Sequence, residues 1–267
     1  MRSFQERVFI VTGGASGMGR ELVLELLKSG ADVCAIDINE QGLEETRKLA
    51  DVDKKRLSTF VVDITNIKQV EELPQKVVSY HGKVDGIFNN AGIIQPMKKF
   101  EELSPAFVEK IFNINAFSVF NLTRAFLPEI MKSDEGYVVN TSSMGGFLPV
   151  PGQAIYGATK SAVKLFTEAL YAELYNTNVN VSIVFPGAIK TDIAKNSGIE
   201  MKEGDLENSK IKMTSANDAA KIMLKGVKKE KLRILVGKDA WIMDKYYRLF
   251  PVKAIKLMQK MLASIIE

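Results

Sequence analysis

The sequence predicts an α/β protein built as one doubly wound parallel sheet of about seven strands, with helices on both faces and a helical extension at the C-terminus. Three observations carry that expectation. Short apolar runs alternate with longer helical stretches along the chain, the pattern of strand–helix–strand units. A glycine-rich turn follows the first apolar run directly, and the second run ends in a carboxylate, Asp37, 24 positions beyond Gly13. No linker or charge block divides the 267 residues, and a hydrophobic content of 46% is enough for one large core.

The first strand spans residues 7–12, with Val8, Phe9, Ile10 and Val11 in succession. It runs into Gly13, Gly14, Ala15, Ser16, Gly17, Met18 and Gly19, after which a helical pattern continues to Lys28. Glycines there let the backbone turn tightly and approach a pyrophosphate, while the following helix turns its free N–H groups and positive dipole end toward the anion. The second strand, 32–37, places Asp37 to accept the hydroxyls of an adenosine ribose and to repel a 2′-phosphate. Neither Ser16 nor Ile38 offers a cation for such a phosphate, so NAD(H) is expected rather than NADP. Further strands are expected at 59–63, 86–89, 137–141, 179–185 and 234–236.

Tyr156 and Lys160 are four residues apart, which puts both on one helix face. A nearby ammonium favours phenolate and is expected to bring the tyrosine toward working pH, where it can exchange a proton with an alcohol. Ser143, just beyond the fifth strand, is placed to orient the same oxygen. The competing structural reading is a half-buried tyrosine beside a solvated lysine.

Together these motifs resemble the classical short-chain dehydrogenase/reductase (SDR) family over roughly residues 5–191. The turn from Thr12 to Gly19 is similar to the family's TGxxxGxG, Asn89, Asn90, Ala91 and Gly92 to its NNAG, and Tyr156 through Lys160 to its YxxxK. The resemblance implies a Rossmann-like fold and hydride transfer between nicotinamide and an alcohol or ketone. It implies a catalytic set of Asn115, Ser143, Tyr156 and Lys160, with Lys160 also reaching the nicotinamide ribose and Asn115 holding a relay water. It further implies NAD(H) contacts from Gly13, Ser16, Gly17, Met18, Gly19, Asp37, Ile38, Asp63, Ile64, Asn90, Ala91, Gly92, Pro186, Gly187, Ile189 and Thr191, beside Tyr156 and Lys160. Structural roles compete for three of these: Asn90 and Asn115 in satisfying turn or bend backbone groups, and Asp63 in capping the helix that follows.

A catalytic domain is expected over 1–237 and a basic amphipathic extension over 238–267. Residues 223–267 hold eleven Lys/Arg against four Asp/Glu. Past Pro251, Val252, Ile255, Met258, Leu262, Ile265 and Ile266 recur at helical spacing, with Lys253, Lys256 and Lys260 elsewhere. The extension departs from the short glycine-rich tail of many family members, and it reads three ways: docking on its own core or a second copy, a cover on the substrate pocket, or peripheral membrane contact. A homo-oligomer, dimer or tetramer, is expected, and nucleic acid is not.

Apolar residues at Ile93, Ile94, Met144, 147–151 and in the loop 192–213 favour a hydrophobic secondary alcohol or ketone, steroid-like or lipid-derived, over a small polar alcohol, diol or sugar. Core filling is the competing explanation for each. A different class of function, an NAD(H) sensor or scaffold without turnover, would have been free to lose Tyr156. Cys34 is the only cysteine and His81 the only histidine, so neither an intrachain disulfide nor a clustered zinc site is expected. A cytoplasmic setting is expected from the single cysteine, the short lead into the first strand and the want of a transmembrane-length apolar run.

Overall fold

The computed structural model describes residues 2–199 and 213–266, with side chains described up to Leu262 in the last helix. Apolar strand β1 (Val8–Thr12) leads through the glycine turn into α1 (Gly17–Lys28), then β2 (Asp32–Asp37) and α2 (Glu40–Ala50). β3 (Leu57–Val61), α3 (Ile67–His81) and β4 (Gly86–Asn89) complete the first half. The second half holds α4 (Pro105–Phe112), a π turn (Asn113–Phe117), α5 (Ser118–Ile130), β5 (Gly136–Thr141), α6 (Ala154–Glu173) and β6 (Val179–Pro186). Then come β7 (Ile189–Lys190), α7 (Ile193–Asn196), β8 (Thr214–Ser215), α8 (Ala216–Val227), β9 (Arg233–Val236), α9 (Lys238–Leu249) and α10 (Pro251–Ile266).

Seven strands form one parallel sheet in the order β3-β2-β1-β4-β5-β6-β9, and β7 pairs with β8 in a separate short ladder. The order reverses at β1, which pairs with β2 on one side and β4 on the other. Such a reversal opens a crevice at the carboxyl ends of the strands, where ligands bind in this architecture. Burial on both faces explains why β1, β4 and β5 read as unbroken apolar or buried runs rather than alternating ones. One face packs α1 and α8 through Leu22, Val23, Leu26 and Met223; the other packs α3, α5 and α6 through Leu73, Phe126 and Leu170.

The third strand lies two residues earlier than 59–63. Its register aligns Leu57 with Val33 and Val61 with Asp37. The chain leaves the ladder after Val61, and Asp63 turns back on itself, its carboxylate accepting from the amide and hydroxyl of Thr65 at 2.9 and 2.7 Å. Asn66, not Asp63, caps α3 by accepting from Gln69 N–H. His81 ends α3, half-buried, with Nε2 2.8 Å from Ser58 Oγ. Cys34 is buried within β2, and burial pushes its thiol up to about 12, so it is an inert packing group.

The C-terminal extension docks on its own chain. α10 rests through Ala254 and Met258 on Leu148, in an apolar cluster with Met144, Phe147 and Val150, the stretch that follows Ser143. Among the described residues, no helix is long and apolar enough to cross a membrane.

Candidate active site

The glycine turn is shaped by what surrounds it. Gly13 and Gly17 adopt φ of 74° and 52°, a region where a side chain is strained. Gly19 is buried because α1 closes directly on the carbonyl of Gly13, leaving no room for a Cβ. Thr12 Oγ locks the adjoining strand end by accepting the amides of Asn90 and Ala91, both at 3.0 Å. Asn90 Nδ2 donates to Thr12 O at 3.2 Å, while its buried Oδ1 has no protein partner among the described residues.

These elements wall a cleft of ≈ 340 Å³ at the switch point. Twelve of the residues anticipated for cofactor contact line it: Gly13, Ser16, Gly17, Met18, Asp37, Ile38, Asp63, Ile64, Asn90, Ala91, Gly92 and Thr191. Asp37 uses one lone pair on each oxygen, accepting Ala15 N–H at 3.1 Å and Asn39 N–H at 3.0 Å. Both oxygens keep acceptor capacity for hydroxyls. Gly19 lies behind the wall, and Ile189 packs against the core from β7 instead of facing the cleft. Tyr156, Lys160, Pro186 and Gly187 also lie outside the lining of this cleft.

The start of the loop 192–213, expected to supply apolar lining, contributes polar contacts as well. Ile193 and Asn196 of α7 form one edge, with Asn196 Nδ2 donating to Ser16 Oγ at 3.0 Å. Ser197 Oγ accepts Ile94 N–H at 2.9 Å, so this segment ties the glycine turn to the chain after Gly92. Nothing local in the sequence signalled it, because the contacts span more than 100 positions. The remainder of the anticipated apolar loop, 200–212, lies outside the described residues.

Beyond the cleft, the anticipated catalytic side chains converge. Ser143, extended after β5, accepts Gly145 N–H at 3.1 Å, and a Cβ on Gly145 would lie 3.6 Å from Ser143 Oγ and 3.5 Å from the Tyr156 ring. Lys160 Nζ donates to Thr141 O at 3.1 Å. A Cβ on Gly92 would sit 3.2 Å from Lys160 Nζ and 3.1 Å from Asn115 Oδ1, so Gly92 keeps the space between lysine and asparagine open. Asn115 lies in the π turn, and its side chain closes two hydrogen bonds of 2.8 Å with the amide and carbonyl of Ile93. That is the bend-satisfying role, and Oδ1 keeps a second lone pair beyond the Ile93 amide. Gln95 completes the surround, its Oε1 accepting the amides of Ile155 and Tyr156 at the start of α6.

The electrostatics depart from the sequence expectation. Burial pushes the Tyr156 phenol up, and the Ser143 hydroxyl bonded to it pulls the other way. Burial holds Lys160 down at about 8. Desolvation disfavours phenolate and ammonium alike, so in the protein alone Tyr156 rests as the neutral phenol while Lys160 keeps its charge only below about 8. Among the described residues, no cluster of three or more His, Cys, Asp or Glu could hold a metal.

A doubly wound parallel sheet with a glycine-lined cleft at its switch point defines the Rossmann-type α/β class. The chain belongs to the short-chain dehydrogenase family, whose model matches residues 7–202. The protein SadH of Mycobacterium tuberculosis is 34% identical over 255 residues, covering 91% of both chains. Cyclopentanol dehydrogenase of a Comamonas species is 34% identical over 199 residues, covering 73% of this chain and 78% of its own. A short-chain dehydrogenase from Burkholderia phymatum, solved in complex with NAD, superposes with a TM-score of 0.82 at 25% identity, covering 93% of this chain and 96% of that one.

Proposed function

We propose that this chain is an NAD(H)-dependent oxidoreductase acting on a hydrophobic secondary alcohol or its ketone, with Tyr156 as the acid/base. The observation that carries the reading is the meeting of Ser143, Tyr156 and Lys160 beside a cleft that fits a dinucleotide. Support for the fit comes from Asp37, with acceptor capacity left on both oxygens, and from the buried, unpartnered Oδ1 of Asn90 on the wall. When bound, NAD(H) supplies or receives the hydride. Ser143 donates to the substrate oxygen; Tyr156 takes the hydroxyl proton as phenolate in oxidation and gives a proton as phenol in reduction, and the Lys160 ammonium stabilises the phenolate form. The fully buried setting makes that charge interaction stronger than it would be in water.

Ile93, which Asn115 holds beside Lys160, and Met144, next to Ser143, favour an apolar substrate, steroid-like or lipid-derived. Cyclopentanol dehydrogenase is named for an apolar ring alcohol, which agrees. Met144, Phe147 and Val150 also pack under α10, so they serve the core as well. The 1–237 portion is read as the catalytic domain. Exposed Phe117 and Leu165, on the π turn and α6, offer a face for a second copy in a homo-oligomer.

The test is NADH absorbance during incubation with secondary alcohols and ketones, NAD and NADP in parallel. Turnover with NAD on apolar substrates, abolished in Tyr156→Phe while NADH binding persists, is the expected result. Preference for NADP would overturn the Asp37 argument. NADH binding without turnover across the panel would favour a sensor.

A further inference from the structure

Helices α9 and α10 meet at a corner with an unusual surface. Leu249 is 71% exposed, Val252 62% and Trp241 52%, with Ile242 and Phe250 beside them. Around this apolar tip stand Lys238, Lys245, Arg248, Lys253 and Lys256, all exposed. Lys245 Nζ lies 3.7 Å from the centroid of the Trp241 ring, and Lys253 Nζ 5.2 Å from that of Phe250.

The acids of these two helices, Asp239 and Asp244, both point inward. Asp239 accepts Ala188 N–H at 2.7 Å, and Asp244 is held by Arg233 at 2.7 Å and by Arg248. The outward charge of the corner is therefore positive throughout, interleaved with large apolar side chains.

We propose that this corner docks the protein on an anionic lipid surface. Apolar side chains set in a collar of long cations suit the bilayer interface: Leu249, Phe250 and Val252 enter below the headgroups while lysine stems extend their ammonium groups to the phosphates. A second copy is a poor occupant, because two such corners brought face to face would oppose cation to cation. Because α10 lies over the stretch after Ser143, docking would bring the reaction end of the molecule toward the phase where apolar alcohols accumulate. That last consequence rests on the proposed function; the docking itself is read out without turnover.

Trp241 is the only tryptophan in the chain, so its fluorescence reports the corner directly. With phosphatidylglycerol vesicles, the full-length protein is expected to co-sediment and its emission to shift to the blue. Phosphatidylcholine vesicles or high salt should abolish both effects. Lys245→Gln with Lys253→Gln should weaken binding about fivefold per lysine, and Leu249→Glu with Val252→Glu should eliminate it. Retained NADH binding would show that the variants are folded. The proposal is overturned if wild-type protein stays in the supernatant with unshifted emission, or if the double glutamate variant sediments like wild type. A blue shift that grows with protein concentration in the absence of lipid would also overturn it, since a second copy would then cover the corner.

Discussion

Asp239 in α9 accepts the backbone amide of Ala188 at 2.7 Å, joining the C-terminal helices to the segment that leaves β6. Its carboxylate occupies the space where a Cβ on Gly187 or Gly237 would fall, which explains glycine at both positions. Asp239→Ala should lower unfolding free energy by about 1–3 kcal/mol, since a charged acceptor is lost and an amide is left unpaired. NADH affinity should fall with it, as residues 186–191 lose their anchor, and Asp239→Asn should recover part of both. Denaturant unfolding and NADH titration measure the two effects.

Gly92→Ala tests the space between Asn115 and Lys160. The added methyl would sit within 3.2 Å of both polar groups, tight enough to displace the lysine by a few tenths of an ångström. Turnover should fall about 10- to 100-fold with little loss of stability, because small misplacements near the reacting atoms are costly. Steady-state kinetics beside a thermal melt separates the two.

Lys160 should make stability rise with pH in the protein without cofactor. Its folded value is about 8 against an ordinary 10.5, so between those values the unfolded chain binds the extra proton and folding gains with rising pH. Below about 8 the cost of burying the ammonium is fully present; above 10.5 it is gone. Lys160→Met should accordingly stabilise at pH 7 by about 1–3 kcal/mol, less whatever is lost when Thr141 O gives up its donor. The difference from wild type should shrink as pH climbs through that window, as followed by denaturant unfolding at several pH values.

Asp37→Ala should weaken NADH binding about tenfold or more and cost about 1–2 kcal/mol of stability, since the amides of Ala15 and Asn39 lose their acceptor. Titration by NADH fluorescence and a melt check both.

Local signals carried most of the fold. The buried run at residues 8–12, the glycine turn and the carboxylate at Asp37 each announce themselves within a few positions, and the parallel, doubly wound sheet follows from the alternation of strands and helices. Register was less legible: β3 starts at Leu57 because its ladder with β2 begins at Val33, which no property of residues 57–58 reveals alone. At the site, Tyr156, Lys160 and Ser143 stood out by type and spacing. Gln95, Asn196, Ser197 and Asp239 did not, since each acts through a backbone amide or a distant side chain that only the fold brings near. The direction of the Tyr156 shift in the protein without cofactor was not legible, because spacing shows a neighbouring cation but not the burial that opposes charge on both partners.

Leu148 is fully buried in a cluster that it shares with Ala254 and Met258 of α10. The two halves of this site therefore draw on distant parts of the chain: the glycine turn, Asp37 and Asn90 come early, whereas the stretch after Ser143 is packed beneath α10, the last helix described. The cleft itself is closed only when Thr191, Ile193 and Asn196 meet the glycine turn, so both halves wait for residues made after Ser143.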